Sequence, residues 1–407
     1  ENYGGYFFNE LSKRQNINMI PYGKQNITQD DIDSVLEVMK SDYLTQGPIT
    51  PKFENEISKY CNVKYSVAVV NATSALHLAC LALDVKKRDI VWTSPISFVA
   101  SANCVKYCGA DVDFVDINIE TFNMCPLALE KKLKRASVIG RLPKVLIVVH
   151  LAGQSCEMKK IHELSIKFGF KVIEDASHAF GAKYFDEPVG NCKYSDITVF
   201  SFHPVKIITT CEGGVCLTNS KKLYNKIYNN RSHGIVRDQL EMINKSEGPW
   251  YYEQIDLGYN YRLNDLQSAL GLSQLKRVDS FIEKRHEIAK KYDAFFNKID
   301  FIIPQCQTNN IHSSYHLYII KIISNGGFTR KSVFEKLRNE GIFVNVHYIP
   351  IYKQPYYSKS FKKEDFPNSE KYYSEAISLP IFPGLSEEEF NKITTALTEP
   401  INFQKIF

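Results

Sequence analysis

The chain has 407 residues, 44% hydrophobic and 23% charged, with 50 Lys plus Arg against 45 Asp plus Glu and a formal net charge of +5. That length fits two or three ordinary domains, or one large α/β domain with an appendage. The composition excludes a disordered chain, a collagen-like repeat and a membrane-spanning protein.

Residues 1–18 lack the basic start and apolar core of a signal peptide, and we set them aside as an extension of unclear origin. The first secure element opens at "ITQDDIDSVLEVMKS", where Thr28 is an N-cap with Asp31 three residues on, and Ile32, Val35, Leu36 and Met39 recur at helical spacing. A Gly/Pro loop, "YLTQGPITPKF", leads into a second amphipathic helix with Phe53, Ile57 and Tyr60 on one side.

From residue 66 the pattern turns to βαβ. Strands are predicted at "SVAVV", "DIVWTS", "DVDFVDI", "KVLIVVHLAG", "FKVIEDAS", "DITVFSF" and "GGVCLTN", with helices at "NATSALHLACLAL", "SFVASANCVKYCG" and "MKKIHELSIKFG" between them. Apolar runs alternating with helices mean a mostly parallel sheet covered on both faces. The basic cluster Lys131, Lys132, Lys134 and Arg135 reads as a solvated helix face, so no nucleic-acid partner is expected. After residue 220 comes a long helical stretch broken near Val278, then short strands mixed with helices. We expect a large domain over residues 19–270 and a smaller α+β domain over 271–407.

Ten cysteines show no CxxC pair, and no His cluster completes a zinc set, so no metal is expected. Most lie in apolar runs, which reads as reduced thiols of a cytoplasmic protein.

In sheets of this kind ligands bind outside the carboxyl ends of the strands, at helix N-termini. Three stretches there can do chemistry. In "NATSAL", Thr73 and Ser74 start a helix; they are either part of an anion cup or plain caps. In "VIEDASHAFGA", Asp175 closes a buried strand with His178 three residues on. Such a carboxylate needs a cationic partner, and an N-cap or an ordinary ion pair would also account for it. In "FSFHPVKIITTCEGG", Lys206 follows a strand in an apolar, hydroxylic setting, the environment a Schiff-base amine needs; a surface-loop lysine is the alternative. An anion cup, a strand-end Asp and, 31 residues later (206 − 175), a buried Lys follow the order a pyridoxal-phosphate enzyme requires. There is no GxGxxG fingerprint, which argues against a Rossmann dehydrogenase.

The pieces "LTQGP", "NATSALHLA", "SPISFVASAN", "HLAGQ", "IEDASHAFGA", "FSFHPVKIITTCEGG", "RSHG" and "LGYNYRLNDLQSALGLSQL" give a more specific reading. From about residue 19 onward the chain resembles the DegT/StrS-type sugar-nucleotide aminotransferases, pyridoxal-phosphate enzymes of fold type I. The resemblance implies a mostly parallel seven-stranded sheet between helices and pyridoxal 5′-phosphate held covalently by Lys206. It implies Asp175 on the pyridine nitrogen, and Thr73, Ser74 and Ser201 on the phosphate. Phe98 would stack on the cofactor ring and His178 would stand near the ring hydroxyl. Asn260 would reach the phosphate of a neighbouring subunit, so a homodimer with a shared site is implied. Where the family's dehydratase branch has His, this chain has Lys206, which implies transamination. "VHYIPIY", with His347, Tyr348 and Tyr352, resembles the branch that aminates C4 of a UDP-4-keto-6-deoxy-N-acetylhexosamine on the way to pseudaminic acid, with L-glutamate leaving as 2-oxoglutarate. The alternatives are another nucleotide-linked keto sugar, or a regulatory member of the same fold.

Overall fold

The computed structural model describes residues 19–324 and 328–398; the extension 1–18 lies outside the described residues. Two helices come first, α1 (Gln29–Met39) and α2 (Ile49–Cys61). Thr28 starts α1 as expected, its N–H donating to Asp31 Oδ2 at 2.9 Å.

The predicted α1 face needs correction. Ile32, Leu36 and Met39 are exposed on the protomer, while Asp31 and Val38 are buried. Arg277 lies 2.5 Å from Asp31 Oδ2, and Gln274 donates to the same oxygen at 2.8 Å. A paired carboxylate turns that side of the helix inward and leaves the apolar stripe outside.

The seven predicted strands are all present: β1 (Tyr65–Val69), β2 (Ile90–Thr93), β3 (Asp111–Phe114), β4 (Val145–Val149), β5 (Lys171–Asp175), β6 (Ile197–Ser201) and β7 (Gly214–Thr218). They form one sheet in the order β1-β7-β6-β5-β4-β2-β3, in which β7 alone runs antiparallel to its neighbours. Both faces are buried, which is why the strands read as near-continuous apolar runs. Alternation sorts their side chains: Val145, Ile147 and Ile173 pack on one face, Leu146, Val148 and Val172 on the other. The first face is covered by α3 (Ala72–Ala82), α4 (Ala100–Tyr107) and Ile227 of a later helix; α5 (Pro126–Val138) and α6 (Met158–Phe168) cover the second. Beside them Phe53 and Ile57 of α2 meet Phe200, Phe202 and Val215.

The long helical stretch breaks as expected. It follows α7 (Lys221–Arg231) and consists of α8 (Asp265–Leu275) and α9 (Val278–Phe296). Helix α9 serves two cores. Its start, Val278, Phe281 and Ile282, packs under the large sheet; Ile288, Tyr292 and Phe296 pack with a second core. That core lies on an antiparallel sheet of β8 (Ile302–Pro304), β9 (Tyr318–Ile322) and β10 (Ala376–Leu379), with α10 (Arg330–Asn339) and α12 (Glu387–Thr398); α11 (Pro367–Glu375) leads into β10. The chain's first described strand, Ile20–Pro21, pairs with Ile342–Phe343 and joins this second core. No helix among the described residues is long and apolar enough to cross a membrane.

Candidate active site

One edge of the large sheet collects the predicted residues. Strands β1, β6 and β5 share a direction, so their C-terminal ends meet the start of β7. Val69, Gly214 and Ser201 are in register across β1, β7 and β6, and Asp175 of β5 pairs with Val199 of β6. At the usual strand spacing this row is about 14 Å wide.

The helix α3 begins at this edge. Its N-cap is Asn71, whose side chain accepts from the Ser74 N–H at 2.8 Å. Thr73 and Ser74 are therefore not caps, and their hydroxyls remain available beside the unpaired N–H groups of the first turn. Gly214 makes the approach possible: a Cβ there would stand 2.6 Å from the Ala72 nitrogen. Ser201 is buried at the end of β6, two strands away.

Asp175 is buried and has three donors: the Ser101 hydroxyl at 2.6 Å, the Ser177 hydroxyl at 2.6 Å and the Ser177 N–H at 3.3 Å. No cation lies within ion-pair distance of it among the described residues. It is neither a helix cap nor half of an ion pair. Its neighbour Glu174 points to the other face of the strand. His150 Nε2 donates to it at 2.7 Å, Ser195 at 2.5 Å and Thr198 at 3.1 Å. Burial pushes the Glu174 carboxyl up, and His150 with the two hydroxyls more than offsets this, leaving it below the usual carboxylate value.

Lys206 follows β6 and is also buried, 7% exposed. Three buried histidines surround it. His178 accepts the Ala152 N–H at Nδ1 (3.3 Å) and so carries its proton on Nε2, which donates to the Tyr348 hydroxyl at 3.0 Å. Burial first, then the Lys206 and His347 charges, hold His178 well below the ordinary histidine value. His316 lies 4.4 Å from His178, ring to ring, and is depressed in the same direction by burial, His178, Lys206 and Arg285. Burial and Lys206 bring His347 down to about 3. The imidazoles on this side of Lys206 are thus held neutral.

Phe98 is 39% exposed, with its ring 6.1 Å from that of Tyr348. Asn260 is exposed on a segment that bridges to Ser232 and runs beside the end of β1, where Tyr261 accepts the Val70 N–H at 2.9 Å. The structure therefore gathers Asp175, His178, Ser201 and Lys206 with the start of α3, and leaves Phe98 and Asn260 at open surface. Sequence reasoning missed Ser101, Ser177 and His316. Ser177 had a signal, a hydroxyl two residues after a strand-end Asp; the others are far from the site in sequence.

The DegT/DnrJ/EryC1/StrS aminotransferase family matches over residues 25–398. The chain belongs to that family. It is 40% identical over 363 residues to a UDP-4-amino-4,6-dideoxy-N-acetyl-beta-L-altrosamine transaminase of Campylobacter jejuni, covering 89% of this chain and 92% of the relative. Among solved structures it resembles Helicobacter pylori PseC, an aminotransferase of pseudaminic acid biosynthesis, with a TM-score of 0.85 and 34% identity over 93% of this chain and 98% of that one. It also resembles the putative Streptococcus pneumoniae sugar aminotransferase Spr1654 in its PMP form, with a TM-score of 0.83 and 29% identity over 93% and 98% of the two chains. The protein is a pyridoxal-phosphate-dependent sugar aminotransferase of fold type I. The residues present fit that cofactor: a buried carboxylate lacking a cation suits a protonated pyridine nitrogen, and a close-approach glycine with two spare hydroxyls suits a phosphate.

Proposed function

We propose that this aminotransferase moves an amino group from L-glutamate to C4 of a UDP-linked 4-keto-6-deoxy-N-acetylhexosamine. The chemistry rests on one observation above the rest: a buried strand-end carboxylate held by serine groups, beside the strand that leads into a buried lysine. The substrate rests on the likeness to two transaminases named for that sugar chemistry.

Pyridoxal phosphate supplies the electron sink that carries the amino group between the two halves of the reaction. In this reading Lys206 holds the cofactor, Asp175 faces its ring nitrogen, and Thr73, Ser74 and Ser201 take its phosphate at the start of α3. Phe98 covers one ring face, and neutral His178 stands beside the ring hydroxyl. Lys206 then moves the proton at sugar C4, a step worth about 10²–10⁴-fold in rate.

The working unit in this proposal is a homodimer, with Asn260 reaching the neighbouring subunit's phosphate. The strongly exposed Leu240, Ile243, Trp250 and Leu257, which lie shortly before it in the chain, support that reading. The two domains are residues 19–270 and 271–407, and the ten free thiols favour a cytoplasmic setting.

The test is an absorbance spectrum of the purified protein, followed by addition of glutamate and then of candidate keto sugars. A visible cofactor band that glutamate removes and the UDP-linked 4-keto sugar restores is the expected result. A protein with no band after added pyridoxal phosphate overturns the chemistry; restoration only by another keto sugar overturns the substrate. Mixing Lys206→Ala with Asn260→Ala chains should recover activity if Asn260 acts across the dimer.

A further inference from the structure

The basic cluster on α5 is sorted by the fold and does not form one solvated face. Lys134 pairs with Glu130 at 2.8 Å. Lys132 turns inward: its Nζ lies 2.7 Å from Asp113 Oδ1 and 4.8 Å from the centre of the Trp92 ring, and it donates to the Phe114 carbonyl. Lys131 and Arg135 remain, one turn apart and so on one side of the helix, with Arg141 just beyond its end. All three are exposed, and none has a carboxylate within ion-pair distance among the described residues. The helix dipole, negative at its C-terminus, accounts for Arg135 in the last turn and leaves Lys131, two turns from the end, unexplained.

These three cations line a cavity of about 950 Å³ along the free edge of β3, between α5 and the 356–367 segment. That volume is at the upper end of what small-molecule sites enclose. Strand β3 is three strand spacings, about 14 Å, from the strand that carries Asp175, so the cavity is separate from the catalytic edge. Its carboxylates are mostly spoken for. Asp111 takes Lys106 at 3.2 Å, and Asp113 takes Lys132. Asp116 accepts the Asn368 and Ser369 N–H groups and the Ser369 hydroxyl. That leaves Asp365 beside three unpaired cations. The strand edge itself is also occupied: the Phe114 N–H donates to Asp113 Oδ1 at 2.7 Å and its carbonyl accepts from Lys132. A peptide strand therefore cannot add along β3, and the cavity suits a small molecule.

We propose that this cavity binds a nucleoside diphosphate, with its phosphates on Lys131, Arg135 and Arg141 and its base against the wall of Ile139, Tyr356 and Phe361. Guanidinium forks match phosphate oxygens two at a time. Tyr356 and Ile139 are 75% and 68% exposed, and Phe361 is half-buried, which offers a flat base apolar and aromatic surface. A bare phosphate would engage the cations and leave that wall uncovered. The proposal is independent of the substrate assigned above.

The test uses the full-length, cofactor-loaded protein and UDP as the probe. Equilibrium dialysis counts bound UDP in the parent and in the triple variant Lys131→Ala, Arg135→Ala, Arg141→Ala, whose exposed positions leave the fold intact. The parent should bind one more UDP per chain than the variant, with kcat unchanged because none of the three lies at the catalytic edge. Equal counts overturn the proposal. The chain has two tryptophans, so Trp250→Phe leaves Trp92, in the cavity lining, as the one fluorescent reporter. UDP should change its emission saturably, and adding the triple substitution should weaken that response at least about tenfold. A Trp92 that stays silent, or whose response survives the triple substitution, overturns the site. Inorganic phosphate and uridine should each bind at least about tenfold more weakly than UDP. Phosphate binding as tightly as UDP overturns the nucleotide, and uridine binding as tightly overturns the role of the cations.

Discussion

Glu174 and Asp175 are adjacent carboxylates at the end of one strand, and they face opposite sides of the sheet. On one side Glu174 is closed in by an imidazole and two hydroxyls, and its environment holds it ionised. On the other, Asp175 is held by two serines, with no cation within ion-pair distance among the described residues, beside the strand that leads into Lys206. The first arrangement is complete within the protein. The second is completed by a ligand, which is what separates a structural carboxylate from a functional one.

That contrast can be broken in order of size. Lys206→Ala should abolish the visible band and lower turnover by at least about 10⁴-fold, with the melting temperature little changed; spectra, kinetics and calorimetry together check this. Asp175→Asn should cost about 10²–10⁴-fold in kcat, while the cofactor-free protein melts no lower than the parent, because an unmatched buried charge has been removed. Glu174→Gln should do the reverse: a loss of about 2–3 kcal/mol in denaturant unfolding, and near-normal kcat in the molecules that fold. Equal effects of the two substitutions would erase the distinction.

The pH dependence of stability should show the histidine cluster. His178, His316 and His347 stay neutral in the fold at a pH where the unfolded chain protonates them. The unfolded state therefore binds more protons below pH 6.5, and stability is lost from there as the pH falls toward about 3. Each such group contributes a slope of about 1.4 kcal/mol per pH unit, and His347→Phe should flatten the acid limb by one group. Glu174 adds its own loss below its ordinary value of 4.5, since its contribution is complete only above that pH. Thr28→Ala, far from either carboxylate, should cost about 1 kcal/mol and leave kcat alone.

Much of the fold was readable from the chain. The seven strands announced themselves because both sheet faces are buried, so their residues are apolar at nearly every position. Helix α7 did not: "KKLYNKIYNNR" offers Leu223 and Ile227 amid Asn, Lys and Tyr, and buries mainly Ile227, Asn230 and Arg231. Helix α1 was placed correctly and faced wrongly, because Asp31 pairs with Arg277 of the turn between α8 and α9. No local pattern shows a partner 246 residues away.

The sequence by itself determined the sheet, the order anion cup, strand-end Asp, buried Lys, and the family, because each depends on local periodicity or on residues close together along the chain. Only the tertiary structure decided that Asn71 caps α3 and leaves Thr73 and Ser74 free of that task, that Ser101 crosses from α4 to hold Asp175, and that His316 and His347 come near Lys206. Those side chains are brought in by the packing of the second core through α9, and electrostatics depends on distance in space, which a linear chain does not carry.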